Sequence, residues 1–361
     1  MARTKKRERT SARRAAKAEA AKKTKGPIRE WVDALVFAFV VMLIVRTLFF
    51  DLFKIPTPSM EKNLLVGDYL FVSKLHYGTR TPMTLGVPFT QLHVPGLKLP
   101  STRLPGFSEV QRGDALVFNW PVDDNPIDRK VHYIKRVVGL PGETIAIQDK
   151  IVQVDGVPQP LMDGMQQAWT VTKSDARVQL PRARLEDLGI DTENILQVSG
   201  NPELVVVRAT EDAIRELETW TYVQSVEPYI EPAGLRDLFP EGKAYSVDNY
   251  GPVTIPKEGT TTTLTDDNWT TYAPFINRFE GKMARKTGDG QFEIDGQPAS
   301  TYTWTQDYFF AMGDNRDNSE DSRFWGFVPM SHVVGKAVLV YFSLDPDRKL
   351  PRFSRIFSLI D

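Results

Sequence analysis

Residues 31–50 carry only two charges, Asp33 and Arg46, and their centre, Ala34-Leu35-Val36-Phe37-Ala38-Phe39-Val40-Val41-Met42-Leu43-Ile44-Val45, is apolar throughout. As a helix rising about 1.5 Å per residue, twenty residues reach about 30 Å, the thickness of a bilayer's hydrocarbon layer. The two charges sit near the ends, where side chains reach headgroups, and Trp31 takes the interfacial position that suits an amphipathic ring. A core helix of a soluble domain keeps a polar face, which this segment lacks. A cleaved secretory signal has a short basic region and a small-x-small site after the apolar run, and neither is present. The segment reads as a retained membrane anchor.

Charge then fixes its orientation. The chain has a formal net charge of −1, but residues 1–29 hold twelve Lys/Arg against Glu8 and Glu19, a local net of +10 that leaves −11 for the rest. Basic residues beside a span stay in the cytoplasm, so residues 51–361 are expected outside. Such a tail does not fold alone, though residues 12–25 suit a helix on an anionic surface. A nucleic-acid arm is the rival reading, and the adjoining span disfavours it, so no nucleic-acid partner is expected. Cysteine is absent, which removes disulfides, thiolate metal sites and cysteine nucleophiles. An exterior part of about 310 residues buries enough core without cross-links.

Beyond Asp68 the pattern becomes short β runs ended by turn residues. Tyr69-Leu70-Phe71-Val72 follows Gly67-Asp68, Ala115-Leu116-Val117-Phe118 follows Arg112-Gly113-Asp114, and residues 131–138 run into Gly139-Leu140-Pro141-Gly142. Residues 79–110, rich in Pro and Gly, read as a long surface loop near the membrane. Residues 145–157 and 291–300 read as strands closed by tight Asp155-Gly156 and Asp295-Gly296 turns. One helix is expected at 211–220, capped by Thr210, with Ala213, Leu217 and Trp220 on one face. Residues 260–271 read as a loop or edge strand.

Three stretches carry candidate chemistry. Pro56-Thr57-Pro58-Ser59-Met60 offers a serine just after the span, and Tyr133-Ile134-Lys135-Arg136 offers a lysine within a strand. A serine hydroxyl needs a base and an oxyanion stabiliser, and a lysine serves as base only when burial keeps it neutral. On the residues alone this pair is not distinctive. Residues 309–329 add ten consecutive polar or charged residues between aromatic clusters, the mark of a hydrogen-bonded loop.

Taken in chain order, the motifs are Ile55-Pro56-Thr57-Pro58-Ser59-Met60 after a span, Arg112-Gly113-Asp114 before a strand, and Tyr133-Ile134-Lys135-Arg136-Val137-Val138-Gly139-Leu140-Pro141-Gly142. The last is Gly313-Asp314-Asn315-Arg316-Asp317-Asn318-Ser319 with Asp321-Ser322-Arg323 and Trp325-Gly326. Together they closely resemble bacterial signal peptidase I, the membrane-anchored Ser-Lys endopeptidase that removes signal peptides from exported preproteins, and they leave residues 148–300 nearly unassigned.

That resemblance implies a mainly β protein: an antiparallel catalytic sheet with an α+β insertion, on one N-terminal transmembrane helix. The expected divisions are a basic cytoplasmic tail (1–29), the transmembrane helix (30–50), the catalytic domain in two parts (51–147 and 301–361) and an inserted domain (148–300). Ser59 is implied as nucleophile and Lys135 as general base, with the Ser59 N–H and the Thr57 hydroxyl as oxyanion hole. Ser319 would orient the Lys135 amine, and Asp321 and Arg323 would form a supporting ion pair. Phe53, Ile55, Met60, Leu64, Val117, Tyr133 and Ile134 match the substrate pocket walls. The implied reaction is cleavage after small-x-small sites, with no cofactor and no metal. The implied partners are preproteins, the lipid bilayer and the secretion translocon, and the implied location is the inner membrane with the catalytic part on the periplasmic face.

Some positions depart from the family's commoner pattern. Thr57-Pro58 stands where Ser-Gly is frequent, which stiffens the backbone before Ser59. His132 stands where an acidic or polar residue is frequent, and Glu320 beside Ser319 would raise the lysine's pKa unless it faces solvent. Phe324, Trp325, Phe353 and Phe357 are expected as exposed aromatics that dip into the outer leaflet. Alternatives are a self-cleaving repressor, which the span opposes, a catalytically idle binding module, which intact Ser59 and Lys135 oppose, and a processing peptidase with few clients.

Overall fold

The computed structural model describes residues 26–86, 92–288 and 290–360. The basic stretch 1–25 lies outside these. The chain divides into two units, Met1–Thr47 and Leu48–Asp361.

The first unit is dominated by the helix Pro27–Leu48. Pro27 opens it where a missing N–H costs nothing. Leu35, Phe37 and Ile44 are exposed, and Ile28–Leu48 is long and apolar enough to cross a membrane. The helix ends two residues before the expected boundary. Phe50 already pairs with Ser73 in the strand Phe50–Lys54, so inter-strand hydrogen bonds take over there, as the aromatic run 49–50 favours.

In the second unit an antiparallel sheet runs, from one edge, through the strands Phe50–Lys54, Asp68–Ser73, Val333–Ser343, Ala115–Asn119, His132–Gly139, Tyr308–Met312 and Val328–Pro329. Ala115–Asn119 is buried at every position, because both faces of the sheet are covered. Alternation divides its residues: Ala115 and Val117 join a core with Ile55, Met60, Leu64, Leu70 and Val340, whereas Leu116 and Phe118 join one with Val137, Phe309 and Trp325. The expected mainly β antiparallel fold is what forms.

Residues between these strands build two further four-stranded sheets. One orders Tyr250–Thr254, Thr144–Gln148, Ile151–Val154 and Val157–Gln159; the other orders Leu196–Gln197, Leu204–Thr210, Gln166–Lys173 and Val223–Pro228. The first shares a core with Val138, Tyr308, Phe310 and Met312 of the main sheet, and the second has a core of its own. The expected hairpin turns form with positive φ at Asp155, Gly156, Asp295 and Gly296. The helix Glu211–Leu217 forms with the Thr210 hydroxyl accepting from the Ala213 N–H at 3.3 Å, and it stops before Trp220.

Several expectations fail. In the stretch 260–271 the expected edge strand forms at Thr261–Thr263, paired with Thr301–Thr303, but Trp269 begins an 11-residue helix, Trp269–Phe279. Pro274 lies inside that helix, yet burial of Tyr272, Phe275 and Ile276 outweighs the lost hydrogen bond. A further short helix forms at Arg182–Asp187. The loop 79–110 contains a paired strand couple, Thr84–Gly86 and His93–Lys98. Trp325 is buried and Phe324 half-buried, because the sheet core claims Trp325; Phe353 and Phe357 are 78% and 75% exposed.

Candidate active site

Ser59 sits in a single 3-10 turn, Pro58–Met60, between the edge strand Phe50–Lys54 and the strand Asp68–Ser73. Pro58 supplies the fixed φ that starts the turn. Met60 and Leu64 anchor it from below, each 1% exposed. Such a turn leaves its first N–H groups, including that of Ser59, without partners inside the turn.

Lys135 reaches this turn from a different strand. Register places it opposite Leu116 inside His132–Gly139, where it is 3% exposed. Its Nζ lies 2.8 Å from Ser59 Oγ and donates to the Ile134 carbonyl at 3.1 Å, with the Tyr133 ring centroid 5.3 Å away. Burial lowers the amine's pKa from 10.5 to about 8, against the Asp321, Glu320 and Asp314 carboxylates, which raise it. Glu320 is exposed, so solvent weakens its pull and desolvation prevails. A lysine so placed is a base near neutral pH.

The polar loop after the strand Tyr308–Met312 holds the serine turn from the other side. The Asn315 N–H donates to the Ser59 carbonyl at 3.0 Å, and its Nδ2 donates to the Pro58 carbonyl at 3.2 Å. Asp314 takes Arg136 Nε and Nη2 at 2.8 Å each, and Asn63 Nδ2 at 2.8 Å. A Cβ on Gly313 would lie 2.5 Å from the Ser59 carbonyl oxygen and 2.3 Å from Ser319 Oγ; the close approach therefore requires glycine.

Asp321 and Arg323 form a buried two-bond ion pair, with both N···O distances 2.9 Å. Burial alone would raise the Asp321 pKa, but the Arg323 guanidinium and the Gly313 N–H hold it below its usual value. Asp321 also caps the helix Ser322–Trp325 by accepting from the Arg323 N–H. Ser319 is buried beside Gly313, but its Oγ makes no hydrogen bond to Lys135 among the described residues. The Ile134 carbonyl is a second partner of Lys135 Nζ beside Ser59 Oγ.

Thr57 precedes the turn in extended conformation, exposed, with its hydroxyl capping no N–H. Among the expected pocket residues, Ile55, Met60, Leu64 and Val117 are buried in one core, with Phe53 and Ile134 packed against it. Met60 and Leu64 present almost no surface, because they support the turn. Tyr133 packs with the opposite core and stacks on Trp120 at 5.4 Å, since neighbours in a strand face opposite ways. His132, on the same side as Ile134, meets Phe53 at 4.7 Å between ring centroids.

Arg136, Asp314 and Asn315, to which the motifs alone give no role, join the strand of Lys135 to the turn of Ser59. The polar density of 314–323 was the available signal. Arg112-Gly113-Asp114 also has a structural explanation: Gly113 takes φ +92, its carbonyl accepts from Arg136 Nη1 at 2.7 Å, and Asp114 accepts from the Tyr77 hydroxyl at 2.6 Å.

A family model described as "Signal peptidase, peptidase S26" matches residues 28–221 and 251–342. Signal peptidase I of Buchnera aphidicola subsp. Acyrthosiphon pisum is 26% identical over 309 residues, covering 85% of this chain and 73% of that protein. Signal peptidase I of Pseudomonas aeruginosa is 27% identical over 329 residues, covering 88% and 74%. A crystal structure of a signal peptidase I from Enterococcus faecalis V583 shares 19% identity over 63% of this chain and 97% of that one, with a TM-score of 0.23. With a family match across most of its length, the chain belongs to the signal peptidase family, peptidase S26.

Proposed function

We propose that this protein is a membrane-bound signal peptidase I, a serine endopeptidase that cleaves signal peptides from preproteins after small-x-small sites with a Ser59–Lys135 dyad. The observation that carries the reading is the 2.8 Å separation of Lys135 Nζ and Ser59 Oγ in a buried site that lowers the lysine pKa to about 8.

In the neutral state Lys135 accepts the Ser59 hydroxyl proton while Oγ attacks the scissile carbonyl carbon. The carbonyl oxygen becomes an oxyanion within reach of the Ser59 N–H and the Thr57 hydroxyl, which its own fold does not engage. The Lys135 ammonium then protonates the departing amine and, neutral again, takes a proton from the water that attacks the acyl-enzyme. Developing charge is met by donors already in place, and one such donor is worth about 3 kcal/mol.

The substrate lies extended, bonding by main chain to strand edges. Phe53 and Ile134, partly buried on two strands over the core that holds Ile55 and Val117, are the proposed walls for small side chains, with the Tyr133 ring beside the Lys135 amine. The helix Pro27–Leu48 serves as the anchor in the inner membrane, with the basic tail cytoplasmic and the catalytic part periplasmic. The lipid bilayer and the secretion translocon are the proposed neighbours, and residues 148–300 are kept as the inserted part.

The test is cleavage of a preprotein bearing an Ala-x-Ala site by detergent-solubilised protein, with product ends read by mass spectrometry. Wild type is expected to cut after the second Ala, and Ser59→Ala and Lys135→Ala to lose cleavage. Equal cutting by either variant overturns the dyad.

A further inference from the structure

Resting on the reading of Ser59 as nucleophile, we infer that Lys150 is a positioning residue for Ser59, acting through Asp317, the strand Gln166–Lys173 and Asn315. Lys150 makes no bond to Ser59 or Lys135 among the described residues. It occupies the turn between the strands Thr144–Gln148 and Ile151–Val154 with φ +69, following Asp149 at φ +47. Gln148 pairs with Ile151, so the two residues form a two-residue hairpin loop, whose turn type takes positive φ at both positions.

The Lys150 side chain is held by buried charge. Lys150 is 7% exposed, and its Nζ donates to Asp248 Oδ1 at 2.8 Å and to Asp317 Oδ1. The second oxygen of Asp317 accepts from the Ala168 N–H at 2.6 Å. Two residues earlier in that strand, the Gln166 N–H donates to the Asp314 carbonyl and the Gln166 carbonyl accepts from the Arg316 N–H, each at 2.9 Å. These bonds flank Asn315 on both sides. Asn315 donates its backbone N–H to the Ser59 carbonyl and its Nδ2 to the Pro58 carbonyl. A continuous run of bonds therefore leads from Lys150 to the backbone of the nucleophile.

A second contact brings the same region to the serine turn directly. The Lys62 N–H donates to the Gly164 carbonyl at 3.2 Å, and Lys62 Nζ donates to the Gly189 carbonyl. The segment 58–64 is thus held between the polar loop and residues 164–189. In a dyad set at hydrogen-bond distance, a displacement of about 1 Å costs on the order of a hundredfold in rate. The stretch that the motifs left unassigned becomes a brace that fixes the nucleophile's approach to its base.

The experiment uses the full chain in detergent. Ser59 is titrated with a serine-directed acylating probe, so that kcat is expressed per competent site in wild type, Lys150→Met, Asp317→Asn, Asn315→Ala and the double variant Lys150→Met/Asn315→Ala. The expected result is a fall of about tenfold or more in kcat per titrated site for Lys150→Met, with a matching fall in labelling rate and KM within about twofold. The double variant should fall little below the lower single one, because both act on the same contact. A role confined to folding would instead reduce the titratable fraction and leave kcat per site within about twofold of wild type, and that overturns the inference. Should Lys150→Met yield no folded protein, Asp317→Asn decides by the same criterion, since it keeps an acceptor for the Ala168 N–H while losing the charge. Wild type that cleaves and labels at Ser59 alongside unimpaired variants refutes only the brace. Wild type that does not label at Ser59 refutes the dyad and the brace together.

Discussion

Arg136 grips Asp314 through two parallel bonds of 2.8 Å, one residue beyond Lys135 and one before Asn315. The pair thereby ties the strand that carries Lys135 to the loop that holds the Ser59 turn. Both side chains are almost fully buried, so removing one strands the other's charge. Asp314→Ala or Arg136→Met is expected to cost about 3–5 kcal/mol of stability, read as a lowered thermal midpoint and lost cleavage. The double variant Arg136→Met/Asp314→Leu should regain stability, since an apolar pair of similar volume replaces a buried ion pair at little cost. It should remain slow, because nothing then sets the position of Asn315.

Thr57→Val isolates the oxyanion contribution. The side chain is exposed and caps no helical N–H, so the melting temperature should change little. Loss of one donor should lower kcat by about a hundredfold to a thousandfold, with Thr57→Ser close to wild type. Equal rates for Val and Ser would remove the hydroxyl from the mechanism.

The motifs that made the site legible are contiguous in sequence: residues 55–60, 133–142 and 313–323. A short turn that opens on Pro, a strand and a polar loop are all visible from local residue types. Main-chain contacts between distant segments are not, and the Asn315 bond to the Ser59 carbonyl is one of these. The helix Trp269–Phe279 was hidden for another reason: Pro274 and its Thr-rich approach speak against a helix locally, while burial of Phe275 and Ile276 decides for it. Strand alternation was legible too: it sets Ile134 against one core and Tyr133 against the other, with the Tyr133 ring beside the Lys135 amine.

The pH dependence follows from the lysine's pKa of about 8. Only the neutral amine is a base, so kcat/KM should rise about tenfold per pH unit below that value and level off above it. Glu320 raises the Lys135 pKa and is exposed. Glu320→Gln should therefore move the limb to lower pH, and high salt should have the same direction of effect on wild type by screening the carboxylate. A limb that moves up, or stays fixed in both tests, would show that another group controls it.

Exposed Phe353 and Phe357 are the two aromatics of the original four available to a lipid surface. Replacing both with Ser in full-length protein should leave its thermal midpoint unchanged while raising the detergent or lipid concentration needed for half-maximal activity. An unchanged requirement would exclude them from lipid contact.

Lys135 also bears on stability, and with a sign opposite to its effect on activity. Its folded-state pKa, about 8, lies below the ordinary 10.5, so between these values the unfolded chain binds more protons than the folded one. Stability from this group accordingly rises with pH through that window, and its penalty is fully present below pH 8. Lys135→Met keeps the length of the side chain and removes the buried charge, and it should stabilise the protein at pH 7 by up to about 3 kcal/mol. The gain should shrink by pH 10, where wild type has already lost the proton in its folded state. Thermal melts of both proteins at the two pH values check this, and a gain that is absent at pH 7 or grows with pH would refute it. The outcome expected is an inactive protein more stable than the active one, because the desolvation that lowers the Lys135 pKa is a cost carried by the fold.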